Sequence, residues 1–237
     1  MKKPHVAIAV PTYDGTVYLA TMKAIIQDTL EMLKLPGWRV SFQEVAGSAD
    51  IYYARARLCH EFLETDGTHL MFVDSDVAWK PGSIPRLVKH GVDMVAAVYP
   101  RRTEPFSYNL QYASADNKLD MHSNGLCEVA GVSAGFMCIS RNCLQKMTDA
   151  YRNDPIAGLA NGPRGEQVSF FDPYRFKDDP KRKLGEDYAF CQRWRDLGGK
   201  VWIDVNMPMA HIGQKIYAAN LGDHLKRAEQ VDVSSAA

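Results

Sequence analysis

With 237 residues, 46% of them hydrophobic, the chain has enough apolar material for one large domain with its own core. Lys plus Arg and Asp plus Glu are equal at 28 each, so no global field draws the protein to nucleic acid or to an anionic membrane. The five cysteines are odd in number and lack a Cys-x-x-Cys pair, and no stretch approaches the roughly 18 apolar residues of a membrane span. A soluble, cytoplasmic protein with reduced thiols, no transmembrane segment and no nucleic-acid partner is expected.

Met1-Lys2-Lys3 before Val6–Val10 imitates a leader peptide, but Pro11 and Asp14 cut the apolar run short, and the run reads as a first strand. It delivers the polar loop Pro11-Thr12-Tyr13-Asp14-Gly15. There Tyr13 can stack on a nucleobase and Asp14 can accept from an N–H. An ordinary turn accounts for the same residues. Met22, Ile25, Ile26, Thr29, Leu30 and Leu33 recur at helical spacing up to Pro36-Gly37, completing a strand-helix unit.

Val40–Val45 is a second strand. The helix after Asp50 carries Ala54, Leu58 and Phe62 on one face, with Tyr53, Arg55 and Arg57 near its start, where an arginine either meets a phosphate or is solvated. Leu70–Val73 has no alternation, so both of its faces are covered, as in a central strand of a parallel sheet. It ends in Asp74-Ser75-Asp76. Ligands of such sheets gather at strand C-termini, and residues two apart point the same way, so the two carboxylates can converge on one cation.

A short helix around Ile84–Val88 and the strand Met94–Val98 follow, and the strand runs out into Arg101-Arg102. From Ser107 the rhythm changes to strand-strand, through Leu126–Val132 and Phe136–Ile139, with Gly131 to Gly135 as a flexible joint. After the helix Arg141–Arg152, residues 153–183 form a long stretch of little structure with an apolar patch at Val168–Phe171, expected to be a mobile lid. Glu186 and Asp187 open an amphipathic helix, where the dipole keeps a carboxylate ionised. Val201–Ile203 reads as the last strand, followed by His211.

Taken in order, Pro-Thr-Tyr-Asp-Gly after strand one, Asp74-Ser75-Asp76, Glu186-Asp187 and His211 resemble the GT-A glycosyltransferases of the family 2-like group, over about residues 5–213. The resemblance implies a single α/β domain with a Rossmann-like, mixed, mostly parallel sheet over 1–220. Its nucleotide-sugar half would run to about 105, its acceptor half over about 106–220, and a polar tail over 221–237. It implies Mn²⁺ or Mg²⁺ on Asp74, Asp76 and His211, and a UDP- or GDP-sugar donor held by Pro11, Thr12, Tyr13, Asp14, Arg57, Asp74 and Ser75. Asp187 would be the general base for a glycan or other hydroxyl acceptor, in an inverting transfer, with Glu186 holding that acceptor. Two other readings are a haloacid-dehalogenase-like phosphatase with Asp74 as nucleophile, and a nucleotide-sugar-binding module without turnover.

Overall fold

The computed structural model describes residues 3–153, 159–162, 165–179, 181–213 and 215–226. In chain order the first elements are β1 (His5–Thr12), α1 (Leu19–Leu33), β2 (Arg39–Ala46), α2 (Ile51–Leu63), β3 (His69–Val73), β4 (Val77–Trp79), α3 (Ser83–Lys89) and β5 (Met94–Ala96). There follow β6 (Leu110–Tyr112), β7 (Leu126–Val132), β8 (Phe136–Ser140), α4 (Arg141–Tyr151), β9 (Leu159–Gly162), β10 (Gly165–Val168), β11 (Tyr174–Arg175) and β12 (Lys183–Leu184). The last are α5 (Glu186–Asp196), β13 (Val201–Asp204), β14 (Met209–His211) and β15 (Tyr217–Ala219).

The two early crossovers set β2, β1 and β3 parallel and adjacent, as consecutive strand-helix units require. Beyond β3 the sheet becomes mixed, in the order β2-β1-β3-β8-β5-β13-β7-β6. Six of its eight strands run one way, with β8 and β7 against them. This is the expected α/β class of sheet flanked by helices. The neighbour of β3 opposite β1 is antiparallel, yet the strand remains wholly apolar, because Leu70 and Phe72 enter one core and Met71 and Val73 the other. Coverage of both faces, and not parallel pairing, is what removes the alternation.

Helix α1 does not bury the face that its spacing suggested. Its buried residues are Thr21, Ala24, Ile25, Asp28 and Met32, while Met22, Ile26, Leu30 and Leu33 are exposed. The reason is a polar anchor. The Asp28 carboxylate accepts from Trp79 Nε1 and the Ile84 N–H, each at 2.8 Å, and from the Gly82 N–H. Burial pushes this carboxyl up despite those donors.

Val201–Ile203 is not the last strand. Two three-residue strands follow and join β4 in a small second sheet, β15-β14-β4. Short strands of this kind carry too little pattern to be read from the sequence. Within 153–183 the described residues include the hairpin β9–β10 and the pair β11–β12, and Phe170 and Phe171 are fully buried. Residues 154–158, 163, 164 and 180 of the expected lid lie outside the described residues. Of the expected tail, residues 221–226 are helical and Leu221 is buried; 227–237 lie outside the description.

Asp28→Ala would leave three donors without their acceptor around the turn that follows Asp76. The expected loss is about 2–4 kcal/mol of stability, from the cost of orphaning buried donors. Urea unfolding monitored by far-UV circular dichroism measures it.

Candidate active site

The C-terminal end of β3 is held from three sides by main-chain bonds. Asp74 N–H donates to Gly135 O at 2.8 Å, Ser75 O accepts from Tyr18 N–H at 2.9 Å, and Asp76 O accepts from Ile212 N–H at 2.8 Å. The loops after β1, β7 and β14 therefore meet here. A Cβ on Gly135 would lie 2.2 Å from Asp74 Oδ2 and 2.3 Å from the Tyr99 hydroxyl, so the close approach of this chain segment to the carboxylate requires glycine.

The centre of the site is Arg55, on α2 and only 3% exposed. Its Nη2 donates to Asp74 Oδ1 at 2.9 Å, and its Nη1 donates to Glu186 Oε1 at 2.8 Å and to Asp187 Oδ1 at 2.5 Å. The Phe171 ring packs against the guanidinium, 5.9 Å from centroid to Cζ. One cation thus gathers three carboxylates from β3 and α5. Burial disfavours the charged guanidinium, but the three anions outweigh that and raise its pKa. The cluster keeps a net negative charge when all three are ionised. Asp187 is raised by burial and by Asp74, with Arg55 opposing, and Glu186 is raised by burial and by Asp187. The Tyr99 hydroxyl donates to Asp74 Oδ2 at 3.3 Å, so both oxygens of Asp74 are engaged.

Beside this cluster stands a second group. Register pairs His211 of β14 with Val77 of β4, which sets the imidazole next to Asp76. His211 Nε2 lies 3.7 Å from Asp76 Oδ2, and Nδ1 is 3.0 Å from Pro100 O. A carbonyl only accepts, so Nδ1 carries a proton, and Nε2 is the ring nitrogen that faces Asp76. Arg102 donates to the same Asp76 oxygen and to Ile212 O. Burial pushes the Asp76 carboxyl up, but His211 and Arg102 more than offset this and hold it below the ordinary value.

The loop after β1 is the third part. Thr12 Oγ1 accepts from the Gly15 N–H, and Asp14 Oδ1 accepts from the Thr16 N–H and hydroxyl at 2.9 and 2.6 Å. Pro11 and Thr12 are buried, and Tyr13 is 74% exposed. On the far side, Asn109, Ser133, Gly185, Glu186, Asp187 and Tyr188 line a cavity of about 260 Å³.

The structure brings Asp74, Glu186 and Asp187 together, and Asp76 with His211. It does not bring Arg57 to them: Arg57 Nε donates to Glu61 Oε1 at 2.8 Å along α2. Arg55 is the α2 arginine that reaches the strand end, and there it meets three carboxylates, neither the phosphate nor the solvent that was expected. The helical period distinguishes the two, since Arg55 shares a face with Cys59 and Phe62, both buried, while Arg57 lies about 200° away from Arg55. Tyr99 was missed, and no local pattern marks it; the Gly131–Gly135 joint and the Arg101-Arg102 pair stood out in the sequence, but nothing local tied Gly135 to Asp74 or Arg102 to Asp76.

Among solved structures, A197 from STIV overlays with a TM-score of 0.56 at 17% identity, over 91% of this chain and 94% of that one. GalNAc-T7 with UDP, GalNAc and Mn²⁺ gives a TM-score of 0.49 at 11% identity, over 88% of this chain and 44% of that chain. A glycosyltransferase involved in the glycosylation of the major capsid of PBCV-1 gives 0.32 at 14%, over 85% and 93%. No protein-family model and no curated sequence matches the chain. The shared feature is the fold, carried by the STIV protein. No helix among the described residues is long and apolar enough to cross a membrane.

Arg55→Met would strand three carboxylates around an apolar side chain. The folded-state pKa values of Glu186 and Asp187, already raised, would rise further above the unfolded ones, so the variant regains stability as pH falls. A loss of about 3 kcal/mol at pH 7.5, shrinking toward pH 5, is expected in urea unfolding. A loss that does not change with pH would show that the carboxylates find other partners.

Proposed function

We propose that the chain is a glycosyltransferase that moves a sugar from a UDP- or GDP-sugar to an acceptor hydroxyl with inversion at the anomeric carbon. The observation that carries this reading is the Arg55 bridge. It draws the α5 carboxylates, which border a cavity, to the same strand end that presents Asp76 and His211. A reaction that needs a cation on one side and a base on the other fits such an arrangement.

Among the described residues no group of three or more His, Cys, Asp or Glu side chains could hold a metal ion. Asp76 and His211 nevertheless suit an ion that takes its remaining ligands from a diphosphate and water, and the Pro100 carbonyl fixes the imidazole tautomer that ligation needs. These two residues would hold Mn²⁺ or Mg²⁺, with Asp74 behind them, and the bound ion would neutralise charge on the departing nucleoside diphosphate. Tyr13, exposed beside β1, would stack on the base. Asp14 and Thr12 would receive its polar edge, with Pro11 and the Ser75 main chain shaping the floor.

Asp187 would take the proton from the acceptor hydroxyl. Its raised pKa makes it a better base than an ordinary aspartate. Glu186, on the same cavity wall, would accept a hydrogen bond from the acceptor. Arg55 would keep both aimed at the cavity. The full engagement of Asp74 suits a scaffold carboxylate better than the nucleophile of a phosphatase.

Two substitutions separate the roles. Asp187→Asn should lower transfer about 10²- to 10⁴-fold with Mn²⁺-nucleotide affinity intact, and should abolish the acidic limb of the kcat/KM profile, which in the natural protein lies above the ordinary Asp value of about 4. Asp76→Asn should instead remove the metal dependence of nucleotide binding. Near-normal transfer by Asp187→Asn would remove it from the base role. A product that retains the donor's anomeric configuration would reject inversion.

A further inference from the structure

The exposed face of α1 is apolar. Leu19, Met22, Ile26, Leu30 and Leu33 are 84%, 41%, 52%, 55% and 57% exposed, and they recur at three- and four-residue steps along one side of the helix. Phe42, 53% exposed, continues this surface onto β2. Met22, Ile26 and Phe42 border one apolar cleft of about 420 Å³, which places helix stripe and strand residue on the same side of the sheet. Six large side chains about half exposed present roughly 600 Å² of apolar surface, which is at the upper end of what monomers leave uncovered and close to the ~800 Å² per partner of a standard interface.

The strand beneath this surface is also unusual. β2 is the terminal strand of the eight-stranded sheet, and it pairs with β1 through all eight of its residues without a register shift. Its outer edge therefore presents a regular row of backbone donors and acceptors. Natural sheets ordinarily guard such an edge with proline, a bulge or charged side chains; Arg39-Val40-Ser41-Phe42-Gln43-Glu44-Val45-Ala46 has no proline and no bulge, and its two charges, Arg39 and Glu44, leave the middle of the strand uncharged.

We infer that this face binds a second copy of the chain, edge strand to edge strand. The occupant must offer both a strand and an apolar helix side, and the chain itself offers both. A two-fold axis normal to the sheet at Phe42 makes β2 antiparallel to its copy and keeps side chains on their own faces. Residues of equal parity then lie opposite one another, which is the condition that an isologous pairing imposes. In this register Phe42 meets Phe42 of the second copy, Val40 meets Glu44, Ser41 meets Gln43, and Arg39 meets Val45. No like charges are opposed, whereas an axis at Glu44 would oppose two carboxylates. The same axis lays the two α1 helices side by side and antiparallel, with their apolar stripes covering one another and the cleft. The inference is independent of the proposed activity, since it uses neither Arg55 nor the carboxylates.

Sedimentation equilibrium of the full chain should give twice the monomer mass at micromolar concentration. Phe42→Asp and Ile26→Glu, both at exposed positions, should each halve that mass with the far-UV circular dichroism unchanged. All five natural cysteines are buried, so Phe42→Cys introduces an accessible thiol on the axis, and mild oxidation should convert this variant to a covalent dimer. A monomeric natural protein, including one that instead adheres to phospholipid vesicles, would overturn the inference. So would a dimer that survives both charged substitutions and does not cross-link through position 42.

Discussion

A guanidinium removed from water must find its counter-charges inside the protein, and the site is arranged around that requirement at Arg55. Desolvation alone would make the charged form costly. The three carboxylates that compensate it come from β3 and from the first turn of α5, more than a hundred residues apart in sequence. Satisfying one buried charge therefore fixes the distance between two elements that share no strand pairing. Phe171 of the chain before α5 closes over the same guanidinium, and its ring stacks on Phe190 at 4.4 Å, tying the apolar layer to the polar one. Burial, and after it the neighbouring carboxylates that one positive charge does not fully offset, push the α5 members of the cluster toward greater basicity.

The neighbouring pair, Asp76 and His211, depends on a different constraint. It is made by strand register: β14 pairs antiparallel with β4, and Ile212 N–H donates to Asp76 O. Asp28, deep under α1, holds the turn on the other side of β4 through Trp79, Gly82 and Ile84. The two carboxylates of Asp74-Ser75-Asp76 thus serve different networks, one closed by Arg55 and Tyr99, the other open to Arg102 and His211. Gly213 leaves room for Arg102, since a Cβ there would lie 3.1 Å from its Nε. A guanidinium at Asp76 supplies positive charge at the position where the proposed cation would sit.

Much of this was legible in the sequence, for identifiable reasons. An apolar run ending in two carboxylates is a strong local signal, and β3 with Asp74 and Asp76 stands where that signal put it. Acidic residues at a helix start likewise marked Glu186 and Asp187. The partner of these groups was harder to choose, because Arg55 and Arg57 lie in the same helical turn, and only the phase of α2 relative to Cys59 and Phe62 separates them. His211 owes its place to a three-residue strand, too short for periodicity to reveal. In α1 the apolar spacing was real but belonged to the outer face; a buried aspartate, Asp28, lies on the inner one, and hydrophobic pattern cannot report an anchor of that kind.

We propose that the site would hold a cation only jointly with a nucleoside diphosphate, since the protein offers Asp76 and His211 and the diphosphate oxygens would complete the ligand set. Binding of the two must then be reciprocally linked. The direct measurement is titration of the protein with Mn²⁺, followed by electron paramagnetic resonance, without nucleotide and then with saturating UDP or GDP. The account predicts weak Mn²⁺ binding alone, at least tenfold tighter binding with one of the two nucleotides (about 1.4 kcal/mol of coupling), and loss of that gain in Asp76→Asn. Equal Mn²⁺ affinity with and without either nucleotide, or a gain that survives Asp76→Asn, would contradict it.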